Sequence, residues 1–280
     1  MNLKEIKISE CISFKDNPFH VRDDEGMDLL IQSIRDYGVM TPIVVRPVRE
    51  GGYEIVSGHR RVHACKRAGI KKIPALVRDM ERDSAVIFMV DSNIQREGLL
   101  PSEKAFAYKM KVEALRHQGK TTSVQLGQKS SRGAVAANAG ESETQIQRYI
   151  RLTNLEKPLL NLVDEGRIAF TPAVELSYLT PREQRDLMET IESEDCTPSL
   201  SQAIRMRKLS EAGQLDMDRI FSIMSEIKGN QKEYIRLSGD KVGKYLSKLR
   251  TPQQKEDFIL KALDFYTRHL ERQRSNRDGR

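Results

Sequence analysis

The stretch "YEIVSGHRRVHACKRAGIKKIPALVRD", residues 53–79, decides the fold of the first part of the chain. It opens with the β-branched run of a strand and continues, after Gly58, in a helical pattern over residues 60–68 that ends at Gly69. The run "IPALVRD" that follows predicts another strand. Gly58 is therefore expected at a strand-to-helix junction.

This junction has the chemistry of a phosphate site. A helix N-terminus presents backbone N–H groups without partners and the positive end of the helix dipole. Gly58 lets a ligand approach the backbone, and the guanidinium groups of Arg60 and Arg61 can each donate paired hydrogen bonds to phosphate oxygens. The pattern favours a polyphosphate as the occupant. The alternative is a surface helix whose two arginines are solvated or paired with carboxylates, with His59 as an ordinary polar residue.

The surrounding residues predict alternating helices and strands. "MDLLIQSIRDYG" has apolar residues in helical spacing, including Leu29 and Tyr37, and "TPIVVRPV" pairs with "YEIV" as a hairpin joined by "REGG". The apolar run "AVIFMV" predicts a buried helix that ends in the amides Asn93 and Gln95, and Pro101 opens the next helix. Polar residues at the end of a buried helix are typical of a site or of a contact with a partner.

Composition limits the class of protein. With 280 residues, 38% of them apolar and 31% charged, and no tryptophan, the chain is long enough for two or three small domains. The net charge of +7 and the pI near 9.2 favour nucleic acid as a partner over a membrane surface, because the arginines are not gathered on one apolar-backed helix. No apolar run approaches the roughly 20 residues that cross a bilayer, and the first residues lack a secretory pattern, so we expect a cytoplasmic protein.

The cysteines are Cys11, Cys65 and Cys196, which are far apart and form no Cys-x-x-Cys or Cys/His pattern. We therefore expect reduced structural thiols, with neither a disulfide framework nor a zinc site.

A second recognisable pattern lies at "AVAANAGESETQIQRYIRL", residues 134–152. It predicts a helix-turn-helix: a short alanine-rich helix, a turn at Gly140, and a second helix with Ser142 as N-cap and Gln145 as its capping-box partner. The apolar residues of the second helix should pack inward. The alternative is a helical hairpin with a plain polar face. The polar positions left for bases and phosphates of DNA are Ser142, Glu143, Thr144, Gln145, Gln147, Arg148 and Arg151.

Five motifs follow one another in an order that resembles the ParB-like partition proteins. They are "NPFHVR", "GVMTPIVVR", "SGHRRVHACKRAG", "SNIQRE…LPSEKAFAY" and the helix-turn-helix, within roughly residues 8–190. The resemblance implies an α+β N-terminal domain of the ParB/sulfiredoxin-like type, then a mostly α-helical helix-turn-helix domain and a small C-terminal helical module. It also implies a nucleoid-associated homodimer that recognises a palindromic site on double-stranded DNA, binds CTP and Mg²⁺, closes into a clamp and segregates a plasmid, mobile element or chromosome with a ParA-type ATPase.

The resemblance also implies roles for individual residues. Gly58, Arg60 and Arg61 match the family's G-E-R-R box, which holds the triphosphate, and Asn93 matches the asparagine of its E-N-x-Q-R box near the metal. The nucleotide-binding residues expected on this basis are Thr41, Gly58, His59, Arg60, Arg61 and Asn93, with Asn93 also on the metal side.

Three positions depart from the family pattern. His59 and Ser92 replace glutamates, and Thr41 stands where glutamine is common. Mg²⁺ prefers anionic oxygen ligands, so the loss of two carboxylates bears on metal coordination and on hydrolysis. We expect CTP to be bound and hydrolysed weakly at most, and the sequence assigns no catalytic residue.

The remainder of the chain is predicted to be mostly helical. Four Thr-Pro pairs, which begin at Thr171, Thr180, Thr197 and Thr251, precede apolar-periodic runs. They predict helices with threonine as the N-cap and proline at the first helical position.

The predicted domains are an N-terminal nucleotide-binding domain, residues 1–98, and a helix-turn-helix domain, residues 99–210. A linker, residues 211–234, contains the polar segment "KGNQKE" and leads to a C-terminal module, residues 235–280. This module ends in a basic tail, and its apolar stripe is interpreted either as a dimerisation surface or as packing within the chain. The stripe consists of Phe258, Ile259, Ala262, Leu263, Phe265 and Tyr266.

Other functional classes lack residues that they need. A sulfiredoxin-like enzyme needs a cysteine inside the glycine-arginine box, and here the nearest thiol, Cys65, lies more than a helical turn beyond it. A kinase would have only Asp91 as an adjacent carboxylate, and a nuclease would lack its carboxylate cluster beside a histidine. The alternative that stays open is a transcriptional regulator or nucleoid-associated DNA-binding protein with the same modules.

Overall fold

The computed structural model describes residues 2–121, 131–226, 245–246 and 251–278. The chain divides into two compact units, residues 1–226 and residues 227–280. The first unit contains both the predicted nucleotide box and the helix-turn-helix. The finer boundary at residue 98 stays a prediction.

A five-stranded mixed sheet lies at the centre of the N-terminal part. Its strands are β1 (Asn2–Lys7), β2 (Cys11–Ser13), β3 (Ile43–Pro47), β4 (Tyr53–Ser57) and β5 (Lys72–Val77), in the order β1-β5-β3-β4-β2. The antiparallel pair β3/β4 is the predicted hairpin, whereas β3 pairs with β5 in parallel. The outer strands β1 and β2 were not predicted because they are polar and mostly exposed, with Ile6 as the one buried residue of β1.

Helices cover both faces of this sheet. They are α1 (Glu25–Tyr37), α2 (His59–Ala68), α3 (Arg82–Asn93) and α4 (Pro101–Thr121). Successive residues of a strand point to opposite faces, so Ile43 and Val45 pack with α1 and α2 while Val44 packs with α3 and α4. This α+β arrangement confirms the predicted class of the N-terminal domain.

Helix α1 corrects one detail of the sequence pattern. Met27 and Ile34 are buried as expected, but Leu29 and Tyr37 are 72% and 75% exposed. Their spacing is helical, yet they lie outside the arc of α1 that the sheet covers.

The rest of the first unit is helical, as predicted. Its helices are α5 (Ser131–Ala139), α6 (Glu143–Arg151), α7 (Lys157–Asp164), α8 (Phe170–Leu176), α9 (Pro181–Glu194), α10 (Leu200–Glu211) and α11 (Met217–Met224). Helix α11 lies in the segment predicted as a linker, but it buries Ile220, Ile223 and Met224 in the core of α7–α10. The segment 228–233, which prompted that prediction, lies outside the described residues.

Two of the four Thr-Pro helix starts are confirmed. Thr180 forms a full capping box with Glu183, and Thr251 exchanges hydrogen bonds with Gln254. The other two predictions are wrong. Helix α8 has Ala169 as its N-cap, so it begins before Thr171, and α10 is capped by a Ser199/Gln202 capping box, so it begins after Thr197.

The described part of the second unit is dominated by one long helix, α12 (Pro252–Asp278). Most of its large apolar side chains are exposed, among them Phe258, Leu263, Phe265, Tyr266 and Leu270, whereas Ile259 is half-buried. The predicted C-terminal module also includes residues 235–244, 247–250 and 279–280, which lie outside the described residues. None of the helices in the described ranges is long and apolar enough to cross a membrane.

Candidate nucleotide and nucleic-acid sites

Gly58 occupies the predicted strand-to-helix junction and is the N-cap of α2. Its backbone is left-handed, with φ 103° and ψ 23°. A Cβ atom at this position would lie 2.6 Å from Cγ2 of Ile43 and 3.1 Å from Nη2 of Arg61. Both the conformation and the close approach therefore require glycine.

The N-terminus of α2 keeps its positive end uncompensated. Its N-cap has no side chain to accept a hydrogen bond, and its first turn contains no acidic residue. The first backbone bond of the helix runs from the amide of Val62 to the carbonyl of Gly58 at 3.1 Å. The preceding amide groups, those of His59, Arg60 and Arg61, are in the position where helices bind anions.

Arg61 ties the start of α2 to the segment before β3. Its Nη1 donates to the carbonyl oxygens of Thr41 and Pro42, the latter at 2.8 Å. Burial lowers the pKa of its guanidinium, although an arginine remains charged at neutral pH. Thr41 is exposed, and it therefore contacts Arg61 of the glycine-arginine box through its backbone carbonyl. Arg61 has a structural role besides any contact with a ligand.

Arg60 is held more weakly. Its Nη2 lies 3.4 Å from Oδ1 of Asp24, and the two side chains are 30% and 46% exposed. Asp24 also accepts a hydrogen bond from the Met27 amide as the N-cap of α1. An exposed ion pair of this kind contributes little, so a phosphate could replace Asp24 as the partner of Arg60. Asp24 was not singled out from the sequence, although an aspartate before a helix is a readable N-cap signal.

His59 is the first residue of α2, and its ring is largely buried. Burial lowers the pKa of the ring to about 4, and the negative charge of Glu54 offsets a smaller part of that shift by raising the pKa. Its Nε2 atom is buried and has no hydrogen-bond partner among the described residues. At neutral pH the ring is therefore uncharged, so His59 leaves the positive charge of the box uncancelled.

Asn93 is the last residue of α3, which packs on the opposite face of the sheet from α2. Its Nδ2 donates to the Met89 carbonyl at 2.8 Å and lies 3.2 Å from the Ser92 hydroxyl. No hydrogen bond among the described residues joins Asn93 to the glycine-arginine box. Its side-chain oxygen, an acceptor, is the atom left for a metal ion.

The donor set suits a polyphosphate better than a protein-held metal. The glycine cradle, the amides of α2 and the guanidinium of Arg60 are all hydrogen-bond donors. Among the described residues there is no group of three or more His, Cys, Asp or Glu side chains that could hold a metal ion. Cys65 lies in α2, but it is buried and burial raises its thiol pKa, which makes it a poor nucleophile.

The second candidate site is the helix-turn-helix formed by α5 and α6. The turn contains Gly140 with φ 69°, and the Ser142 hydroxyl caps α6 by accepting from the Gln145 amide at 3.1 Å. Ile146 is fully buried, and Tyr149 and Ile150 are partly buried beside it. The inward face of α6 is therefore as predicted, and Ser142 has a structural task.

The polar residues of α6 differ in how far they are free to meet DNA. Thr144 and Gln147 are exposed, and Gln147 accepts from Nη1 of Arg132 at 2.8 Å. Arg148 donates to Thr171 at 3.0 Å and to Gln145 at 3.3 Å, which pre-orients both long side chains. Thr144, Gln145, Gln147 and Arg148 all lie within the first six residues of α6.

Arg151 makes its strongest contacts within the first unit. Its Nη2 donates to the Ser177 carbonyl at 3.1 Å, and its guanidinium lies 3.7 Å from the ring centroid of Tyr178. Arg207 stacks on the same ring at 3.6 Å. Arg151 thus positions α6 against α8–α10, and the sequence carried no signal for this pairing because the partners are distant along the chain.

The chain is similar in sequence to several chromosome-partitioning proteins. The family model for the ParB N-terminal domain matches residues 1–94. The chromosome-partitioning protein Spo0J of Thermus thermophilus is 30% identical over 198 residues, which cover 70% of this chain and 68% of that protein. A probable chromosome-partitioning protein ParB of Pseudomonas putida is 31% identical, over 70% of this chain and 63% of the relative.

A nucleoid occlusion protein of Halalkalibacterium halodurans is 32% identical over 165 residues, which cover 59% of this chain and 53% of that protein. The chain thus spans only about half to two thirds of the length of several curated relatives. The matched part includes the sheet, the glycine-arginine box and the helix-turn-helix. The chain belongs to the ParB family of chromosome-partitioning proteins.

Proposed function

We propose that this chain is a sequence-specific DNA-binding protein that segregates a plasmid, mobile element or chromosome and is controlled by a cytidine nucleotide. The observation that carries the DNA part is the capped helix α6, which presents Thr144 and Gln147 to solvent beside the pre-oriented pair Gln145 and Arg148. Amide and guanidinium groups at the start of such a helix suit base edges in the major groove. A recognition helix reads few base pairs alone, so a palindromic site and a homodimer complete the proposal.

The nucleotide part rests on the geometry at Gly58. CTP would place its phosphates against the amides at the start of α2 and the guanidinium of Arg60, with Arg61 fixing the loop at Thr41. Asn93 would join them only if the end of α3 approaches α2. Mg²⁺ would be held chiefly by the phosphates, because Asn93 supplies a single neutral oxygen and Ser92 replaces the family's carboxylate. Hydrolysis would then be slow.

Assembly would involve the C-terminal helix α12 and a partner protein. The exposed apolar residues of α12 would pair two copies, because an apolar helical stripe of this length is seldom left in water. Nucleotide binding would close the dimer into a clamp around DNA. A ParA-type ATPase would act as the partner, and the complex would lie on the nucleoid in the cytoplasm.

The nucleotide site is tested by Arg60→Ala. We expect this variant to keep its fold, because it loses only an exposed ion pair with Asp24, and to lose triphosphate affinity at least tenfold. Calorimetry with CTP, ATP and GTP measures the loss and the base preference. Arg60→Lys should rescue poorly, since an ammonium group cannot donate in a fork, and Arg35→Ala on the exposed end of α1 is the matched control. Unchanged affinity in Arg60→Ala would remove the box from nucleotide binding.

The DNA site is tested by Gln145→Ala and Gln147→Ala. Each should weaken binding to the specific site by about 1–3 kcal/mol and leave salt-sensitive binding to other DNA intact, because a lost base contact affects one sequence only. Selection of fragments from a random pool identifies the site, and titration by fluorescence anisotropy measures both affinities. Gln32→Ala, on the exposed side of α1, is the control for removing an amide. An equal loss on both kinds of DNA would show that α6 does not read bases.

A second candidate is a nucleoid-associated regulator without a partition role. It is favoured by the relative named as a nucleoid occlusion protein and by the replacement of two family glutamates with His59 and Ser92. A neighbouring gene for a ParA-type ATPase would separate the two functions in favour of partition.

A further inference from the structure

A basic cleft lies beside the recognition helix, between α4 and α6. Its volume is about 300 Å³, and the charged or amide side chains that line it are Lys109, Glu113, Arg116, Arg132, Gln147, Arg151 and Asn154. One wall is therefore a face of α4, and the other is the side of α6 that carries Gln147. The sequence pattern did not single out any residue of α4 for binding.

The lysines and arginines of α4 whose side chains the structure describes fall into two classes. Lys104 pairs with Glu141, and Lys111 is buried against Asp91. Lys109 and Arg116 form no ion pair among the described residues, and both line the cleft. Cations without an ion-pair partner that converge on one cleft give it a net positive charge. Their charge is available to an anion without breaking an existing pair.

The spacing of these cations suits a chain of phosphates. Lys109 and Arg116 are seven residues apart on α4, which is two turns or about 10.5 Å along the helix. One strand of duplex DNA rises about 3.4 Å for each phosphate. The wall of α4 is therefore long enough for more than one backbone phosphate.

Arg132 connects this cleft to the residues that face bases. Its Nη1 donates to Oε1 of Gln147 at 2.8 Å, so this bond holds a cation of α5 next to an amide of α6. The guanidinium retains donors that the single bond to Gln147 does not use. Glu113 is the one carboxylate in the lining and is exposed. The cations Lys109, Arg116, Arg132 and Arg151 outnumber it.

We propose that the cleft binds the sugar-phosphate backbone of duplex DNA next to the bases that α6 faces, with Lys109, Arg116 and Arg132 as phosphate contacts. This inference rests on the proposed function, because α6 must lie at the DNA for the cleft to meet the flanking strand. Such contacts fix the register of the protein on DNA and contribute equally to every sequence.

The test is the double variant Lys109→Gln, Arg116→Gln in the full chain. The slope of the logarithm of the association constant against the logarithm of salt concentration should become shallower by about 1.8 for each DNA-bound copy of the chain, or 0.9 for each lost phosphate contact. Affinities for the selected site and for random DNA should fall by the same factor, so their ratio should not change. Arg35→Gln with Arg182→Gln removes the same charge from α1 and α9 and should leave the slope close to that of the wild type.

The results distinguish failure of the cleft as a phosphate site from failure of sequence-specific DNA binding. A wild-type slope in the cleft variant, with sequence-specific binding intact, would overturn the cleft and leave the proposed function standing. If the wild type binds all DNA alike and the cleft variant still loses slope, the cleft is confirmed and the sequence-specific function fails.

A free polyphosphate is the other source of the same ligand chemistry. Calorimetry with inorganic triphosphate in the absence of DNA separates the two sources. Loss of triphosphate binding in the cleft variant together with an unchanged DNA slope would assign the cleft to a free anion and overturn the proposal. Comparable far-ultraviolet circular dichroism of all variants confirms that they are folded.

Discussion

Asp91→Ala should lower the free energy of unfolding of the first unit by about 3 kcal/mol. The ammonium group of Lys111 donates to Oδ1 of Asp91, and the Lys111 side chain is only 5% exposed. Removing the carboxylate leaves this charge buried without a partner, which costs about 3–5 kcal/mol in other proteins. The lower end applies because Asp91 is 36% exposed, so water can reach the lysine once the carboxylate is gone.

Urea unfolding followed by near-ultraviolet circular dichroism is the measurement. The rings of Tyr108 and Tyr149 pack 5.6 Å apart in the first unit and report on its tertiary structure. Lys111→Met is the matched variant, because it removes the buried charge and leaves Asp91 with access to water. It should cost clearly less than Asp91→Ala, and adding Asp91→Ala to it should cost little more. Equal losses in the two single variants would mean that the pair does not act through a buried lysine.

The same carboxylate joins three helices. Oδ1 of Asp91, at the end of α3, also accepts from Nδ2 of Asn138 in α5 at 2.8 Å, while Lys111 belongs to α4. Asp91 directly precedes Ser92 and Asn93 of the predicted nucleotide box. A movement of the end of α3 would therefore disturb the hydrogen bond to Asn138 in α5, the first helix of the helix-turn-helix. From the sequence, Asp91 was considered only as a base for a kinase, and the structure gives it a structural role instead.

Local patterns in the sequence predicted the elements that bear function. Gly58 and Gly69 bound α2 as expected, and Ser142 caps α6, because a helix end is decided by the few residues around it. The buried face of α6 followed from the spacing of its apolar residues. These features involve neighbours in the chain, which is why a single sequence suffices to predict them.

The interactions that were missed join residues far apart in the chain. The bond from Arg61 to the Thr41 carbonyl spans 20 residues and the bond from Asn138 to Asp91 spans 47, and neither leaves a pattern in the sequence. Arg151 was predicted to face DNA because every polar position of α6 was expected to be exposed once its apolar residues packed inward. Its guanidinium group stacks instead on the ring of Tyr178, which lies between α8 and α9. Tertiary geometry thus decides which of several polar residues remains free.

Gly58→Ala should destabilise the first unit by about 2–5 kcal/mol and weaken nucleotide binding at least tenfold. A left-handed alanine costs about 1–2 kcal/mol, and the methyl group, 2.6 Å from Cγ2 of the fully buried Ile43, adds an overpacking cost of about 1–3 kcal/mol. The new methyl group would also lie 3.1 Å from Nη2 of Arg61. Relief of either contact moves the amides at the start of α2 away from the position in which they would meet phosphate.

The other end of the same helix supplies the control. Gly69 is also left-handed, with φ 76°, but a Cβ atom there meets nothing within 4 Å. Gly69→Ala should therefore cost only the conformational part, about 1–2 kcal/mol, and should leave nucleotide affinity unchanged. The difference between the two variants, measured by urea unfolding and by calorimetry with CTP, isolates the contact with Ile43 and the anion cradle. If both variants lose the same stability and bind CTP equally well, Gly58 serves only to turn the chain, and the phosphates must be sought elsewhere in the first unit.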